Sequence, residues 1–195
     1  MVMRVDKARS RAGRRACGGP TACRGFTVIE LMVVLTVSVI LMAVAAPAFQ
    51  PIVQANRTLT EMNTLTASMR VARAEALRQG LPVTLCASTN GTSCSGANTW
   101  QGGWILFVDQ DANRAVDAGD RIVRVQSGFS GGDVVTASNT TSGITFSRDG
   151  FAFNLGAAVT WTIHTTPVSN AATRCVVLNR VGRVQERAYD GSACT

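Results

Sequence analysis

With 195 residues, 46% of them hydrophobic, the chain can build one modest domain besides any membrane segment. Its formal charge of +7 invites a nucleic-acid reading, but seven basic residues (Arg4, Lys7, Arg9, Arg11, Arg14, Arg15, Arg24) and one acid, Asp6, lie within residues 1–25. Twelve basic and eleven acidic residues remain beyond that point, so bulk charge gives no argument for DNA binding.

The basic segment 1–25 fits a flank that holds the N-terminus on the cytoplasmic side by the positive-inside rule. It is followed by Phe26–Phe49, 24 residues with a single charge, Glu30. As a helix this stretch is about 36 Å long, enough for a hydrocarbon core of about 30 Å. A carboxylate inside such a segment costs on the order of 2.5–3.5 kcal/mol at the centre and less near an end, so it is normally kept for a partner. Residues 1–45 also have the basic start and apolar middle of a secretory signal, with Ala43-Val44-Ala45 as its cleavage site. The apolar run exceeds the usual 7–15 residues of such a signal and carries an acid near its start, which argues against that reading.

After Pro47 and Pro51 the helical period returns over 50–80. Leu59, Met62, Leu65, Met69, Ala72 and Ala76 recur at spacings of three and four, while Arg57, Glu61, Arg70, Arg73 and Arg78 mostly fall off that stripe; the arginines read as a solvated face, with subunit contacts as the functional alternative. Gly80 and Pro82 supply the stop. The segment 81–195 then carries short strand patterns at Val83–Ala87, Trp104–Val108, Arg121–Gln126, Val134–Ala137, Gly143–Ser147, Val159–His164, Cys175–Leu178 and Arg183–Arg187, separated by Gly, Asn, Asp and Ser clusters. No helices alternate with them, so an α+β fold is expected: a long N-terminal helix packed on a small antiparallel sheet.

Cysteines follow the same division. Cys17 and Cys23 lie in the basic flank, whereas Cys86, Cys94, Cys175 and Cys194 lie beyond the membrane segment, where disulfides persist. Four cysteines allow three connectivities, and sequence proximity favours Cys86–Cys94 with Cys175–Cys194. There is no Cys-x-x-Cys, and His164 is the single histidine, without a spaced nucleophile or glycine elbow. Neither an enzyme nor a metal or cofactor is expected. Asp109, Asp111, Asn113, Asp117 and Asp120 occupy positions 1, 3, 5, 9 and 12 of a loop, as oxygen ligands do in a calcium loop. Arg114 replaces the turn glycine at position 6 and the strand patterns Trp104–Val108 and Arg121–Gln126 flank the loop, so a polar hairpin loop is the better reading.

The stretch Gly25-Phe26-Thr27-x-x-Glu30 with its apolar run resembles the processing and assembly motif of type IV pilins and type II secretion pseudopilins. That resemblance implies cleavage by a prepilin peptidase between Gly25 and Phe26, N-methylation of Phe26, an assembly role for Glu30 and a helix bend at Pro47. The head is similar to the GspH/FimT branch of minor pilins and pseudopilins. The segments carrying that likeness are Gly103-Trp104-Ile105-Leu106-Phe107-Val108-Asp109, Asp120-Arg121-Ile122-Val123-Arg124, Ile144-Thr145-Phe146-Ser147-Arg148-Asp149-Gly150 and Asn179-Arg180-Val181-Gly182-Arg183-Val184. It implies a type IV pilin-like fold with leader 1–25, membrane and assembly helix 26–49, amphipathic continuation 50–80 and periplasmic head 81–195. It further implies a structural subunit of a pilus or pseudopilus, anchored in the bacterial inner membrane, with other pilin subunits as partners. Some FimT-like pilins bind DNA during uptake through a C-terminal Gly-Arg-x-Arg. Here Gly182-Arg183-Val184-Gln185 lacks the second arginine, and Arg180, Arg183 and Arg187 are the candidate DNA contacts of this alternative. Arg70, on the helix, is expected to lie outside such a site.

Overall fold

The computed structural model describes residues 25–153, 155–192 and 194, in two compact units divided between Val44 and Ala45. The expected leader therefore lies outside the described residues except for Gly25. One helix, α1 (Val28–Gln79, 52 residues), contributes to both units and includes Pro47 and Pro51. Gly80 ends it with φ +67°, a left-handed conformation that glycine adopts without Cβ strain, and its N–H donates to the carbonyl of Ala76 at 2.9 Å.

In the second unit, α1 buries Met62, Leu65, Met69, Ala72 and Ala76, four of them with no exposed surface. The stripe begins one residue earlier than the periodicity suggested. Leu59 is 40% exposed, and Thr58 is buried in its place because its hydroxyl reaches the carbonyl of Ala172. A second correction concerns the charged residues of this helix. Glu61 is buried, Arg57 pairs with Asp133, and Arg73 donates to the carbonyl of Gly182, so only part of the expected solvated face is solvated.

Nine strands follow among the described residues: β1 (Val83–Ala87), β2 (Gly103–Val108), β3 (Arg121–Ser127), β4 (Val134–Ala137), β5 (Gly143–Phe146), β6 (Ala152–Phe153), β7 (Val159–His164), β8 (Arg174–Leu178) and β9 (Val184–Arg187). All pair antiparallel, in two sheets: β3-β2-β1-β5-β6 and β4-β7-β8-β9. The two-residue β6 has no readable period and is the strand the sequence did not reveal. Arg183 falls just before β9 rather than within it.

Burial explains the two kinds of strand pattern. β1, β2 and β5 are buried on both faces, so β2 reads as a continuous apolar run and β1 and β5 are apolar but for the buried Thr84 and Thr145, whereas β7 alternates, with Val159, Trp161 and Ile163 inward. The main core joins the α1 stripe to Leu85, Trp104, Leu106, Ile144 and Phe146 of the first sheet and to Trp161, Ile163, Val176 and Leu178 of the second. Trp100 and Trp161 meet edge to face at 5.5 Å, and the Trp100 indole N–H donates to the carbonyl of Thr141 at 2.9 Å. On the outer face of the first sheet, Cys86, Ile105 and Phe107 form a smaller cluster covered by Cys94, Val116 and Ile122.

Candidate functional site

The first unit is short, and its chemistry sits at its start. The backbone N–H of Glu30 donates to Thr27 Oγ1 at 3.2 Å, and Leu31 N donates to the carbonyl of Thr27 at 3.1 Å. Thr27 is therefore the N-cap of α1, and Thr27-x-x-Glu30 has the residue order of a capping box, with the carboxylate in the favourable first turn. This structural role of Thr27 was legible in the sequence and was missed. Phe26, 84% exposed, lines a groove of about 240 Å³ with Glu30, Leu31, Val34 and Leu35. Val28–Ala45 is long and apolar enough to cross a membrane, and none of it is buried against protein. Its polar side chains are satisfied within the helix: Thr36 Oγ1 donates to the carbonyls of Met32 and Val33, and Ser38 Oγ to that of Val34. Apart from Glu30, this surface is suited to lipid or to other apolar helices.

The candidate DNA contacts Arg180, Arg183 and Arg187 are not gathered in one place. The Arg180 guanidinium turns to the carbonyl of Gly156, and Arg187 lies opposite Cys175 at the far end of β9. Arg183 instead shares a groove with Arg70 and Arg73 of α1, so the residue expected to lie apart, Arg70, is a neighbour. Arg73 Nη1 donates to the carbonyl of Gly182 at 2.9 Å, tying the helix to the β8–β9 turn. Gly182 has φ +74°, and a Cβ there would lie 2.2 Å from the carbonyl oxygen of Gly150, so the close approach requires glycine.

The acidic loop between β2 and β3 satisfies itself. Asp109, fully buried, accepts from Thr84 Oγ1 at 2.6 Å and from the N–H groups of Asn113 and Arg114 at 3.1 and 3.0 Å. Burial pushes its carboxyl above the usual range, and the bonds from Thr84 and Arg114 hold it back. Asn113 Nδ2 bridges Asp111 and Asp117, and Asp120 accepts from the N–H groups of Gln110 and Asp117. The carboxylates thus organise the hairpin loop, and among the described residues no group of three or more His, Cys, Asp or Glu side chains is placed to hold a metal. His164 ends β7 half-buried, with Nδ1 3.4 Å from the carbonyl of Thr165.

At the other end of the packed part of α1, both guanidinium arms of Arg57 contact the carboxylate of Asp133, which is buried just before β4. Glu61, one turn along, is 4% exposed, and its Oε2 has no hydrogen-bond partner. Burial, reinforced by the neighbouring Asp133 carboxylate, pushes Glu61 up to about 8, against the opposing pull of Arg57. The structure pairs Cys86 with Cys94 and Cys175 with Cys194, closing sequence separations of 8 and 19. The second bond ties the C-terminal segment to β8.

An apolar N-terminal helix capped at Thr27, continuing into a segment packed on antiparallel sheets, defines a type IV pilin-like subunit. Residues 20–46 match the prokaryotic N-terminal methylation motif, and residues 61–182 match the family described as type II transport protein GspH. The chain belongs to the GspH family of pilins and pseudopilins. A 99-residue stretch is 35% identical to the pilin-like protein PilA1 of Thermus thermophilus, covering 50% of this chain and 55% of that protein, so the chain spans about half the length of that curated relative. Two crystal forms of the type IV minor pilin FimU from Pseudomonas aeruginosa share the fold. Their TM-scores are 0.50 and 0.51 at 18% and 19% identity, over 68% and 70% of this chain and 93% and 96% of those chains.

Proposed function

We propose that the chain is a minor pilin or pseudopilin that a prepilin peptidase processes and that then enters a type IV pilus or type II secretion filament. Residues 1–25 are the leader, Gly25–Phe26 is the scissile bond, and Phe26 becomes the N-methylated first residue. Residues 26–49 hold the subunit in the inner membrane with the 81–195 head in the periplasm, and Pro47 provides the bend where membrane and head segments of α1 meet. The observation that carries this reading is the combination, in one register, of Gly25, the Thr27 cap, Glu30 and an apolar helix that is exposed among the described residues. An unburied helix of this kind needs an apolar environment, and a bilayer and a filament core both supply one.

Glu30 gives the segment its polarity. Once the leader is removed, the Phe26 ammonium of an adjacent subunit is a cation of the right sign to meet a carboxylate held in the first helical turn. Within one chain the same ammonium lies one turn from Glu30, so exchange between internal and intersubunit partners keeps the charge compensated in membrane and filament alike.

Intact mass of the membrane-extracted protein tests the processing step. The expected species begins at Phe26 with one added methyl group, and a species beginning at Ala46 overturns the reading in favour of an ordinary signal peptide. Recovery of the chain in sheared filaments tests the assembly step.

A further inference from the structure

The groove that collects Arg70, Arg73 and Arg183 has a volume of about 320 Å³, and no carboxylate is among the residues lining it. Arg70 and Arg183 are exposed, and among the described residues neither side chain has an ion-pair partner. Arg73 is fixed by its bond to the Gly182 carbonyl, and the β8–β9 turn is fixed by its contact with Gly150, so the walls of the groove are pre-organised. The floor is apolar, made by Ala74, Leu77 and Val184, and Leu77 is 53% exposed; Val181 of the adjoining turn is 51% exposed. Three like charges around one uncompensated cavity repel one another. An anion seated between them removes that cost, and guanidinium forks bind planar carboxylates bidentately. Arginine is also the charged residue enriched at the centres of protein interfaces, where the other charged residues are depleted.

We propose that this groove docks a carboxylate-bearing loop of a neighbouring pilin-fold subunit, the acid pairing with Arg70 and Arg183 and an adjacent apolar side chain covering Leu77. The inference rests on the filament-subunit reading above. A protein loop fits better than a nucleic acid because the cations do not continue along a track. Arg180 is turned to Gly156, Glu186 interrupts β9, and Arg187 stands at the far end of that strand. The groove accommodates one or two side chains and its floor is aliphatic, whereas single-stranded nucleic acids use a basic groove with aromatic platforms.

The test exploits the lysine content of the chain, which is Lys7 alone and falls within the proposed leader. Full-length Arg183→Lys, expressed in cells that assemble the filament, places a side-chain amine in the groove that a zero-length carbodiimide can join to a carboxylate in contact with it. The expected result is a two-subunit product absent from wild type, whose cross-linked peptide joins position 183 to an Asp or Glu of another pilin-fold chain. Adding Leu77→Asp should reduce that product at least tenfold. Filaments that contain the variant but yield no such product overturn the inference alone. A chain absent from filaments overturns the subunit reading and this inference together. Salt-sensitive retention of DNA by the detergent-solubilised full chain, lost more than tenfold on Arg70→Ala with Arg183→Ala, would reassign the groove to nucleic acid.

Discussion

Replacing Glu61 by Gln should change how stability depends on pH. In the folded chain Glu61 faces Asp133 and Arg57, is 4% exposed, and titrates near 8 instead of the ordinary 4.5. The folded state therefore holds a proton that the unfolded chain releases above about 4.5. Stability from this group is fully present below about 4.5 and is lost as pH rises through about 8. A group titrating alone gives a slope of up to about 1.4 kcal/mol per pH unit inside that window, a total of a few kcal/mol. For a unit of this size that corresponds to a fall in Tm on the order of 10 °C. Gln keeps the neutral shape and a donor for Asp133 but cannot ionise, so Glu61→Gln should match wild type near pH 5, exceed it near pH 8, and fall less steeply between, Asp109 being the other carboxyl that burial pushes up. Thermal unfolding of the full chain in detergent, followed by tryptophan fluorescence at half-unit pH steps, reads this directly. The reasoning fails if Glu61→Gln retains the wild-type slope, or if wild type gains stability between pH 5 and pH 8. Glu75, held down to about 2 by Arg78, contributes with the opposite sign and only below about 4.5, so its window does not overlap.

Glu30→Ala should leave membrane insertion intact and lower recovery in sheared filaments several-fold, and normal recovery would remove Glu30 from the assembly role. Thr27→Ala removes the N-cap bond to the Glu30 N–H and should cost about 1 kcal/mol of helix stability at its first turn, seen as faster amide exchange at Val28–Leu31. Removing the Cys175–Cys194 bond by paired Ser substitutions opens a 19-residue separation and should cost about 3 kcal/mol in urea unfolding of the oxidised protein. Gly182→Ala places a Cβ against the Gly150 carbonyl at a positive φ, and should destabilise by more than about 1 kcal/mol in the same assay.

Most of the secondary structure was legible because it depends on local pattern. The period of Met62, Leu65, Met69, Ala72 and Ala76 was enough to find the packed helix, and the runs in β1 and β2 were enough to find buried strands. Leu59 misled because a threonine can replace an apolar residue where its hydroxyl finds a buried carbonyl, and that carbonyl, Ala172, is 114 residues away. β6 was invisible because two residues carry no period. The Thr27 cap was readable in principle, since Thr-x-x-Glu before an apolar run is a local signal.

Short-range chemistry accounts for what could be read without a structure: the register of Gly25, Phe26 and Glu30, the apolar span, the helix stop at Gly80 and the alternation of strands and turns. Which distant charges meet depends on the folded packing. Arg57 reaches Asp133 across 76 residues and Arg73 reaches Gly182 across 109, pairings that no local pattern can announce. For the same reason Arg183 joined Arg70 and Arg73 rather than Arg180 and Arg187. The side-chain direction of a charged residue follows from what the folded backbone brings beside it, and that is set by how the helix packs on the sheets.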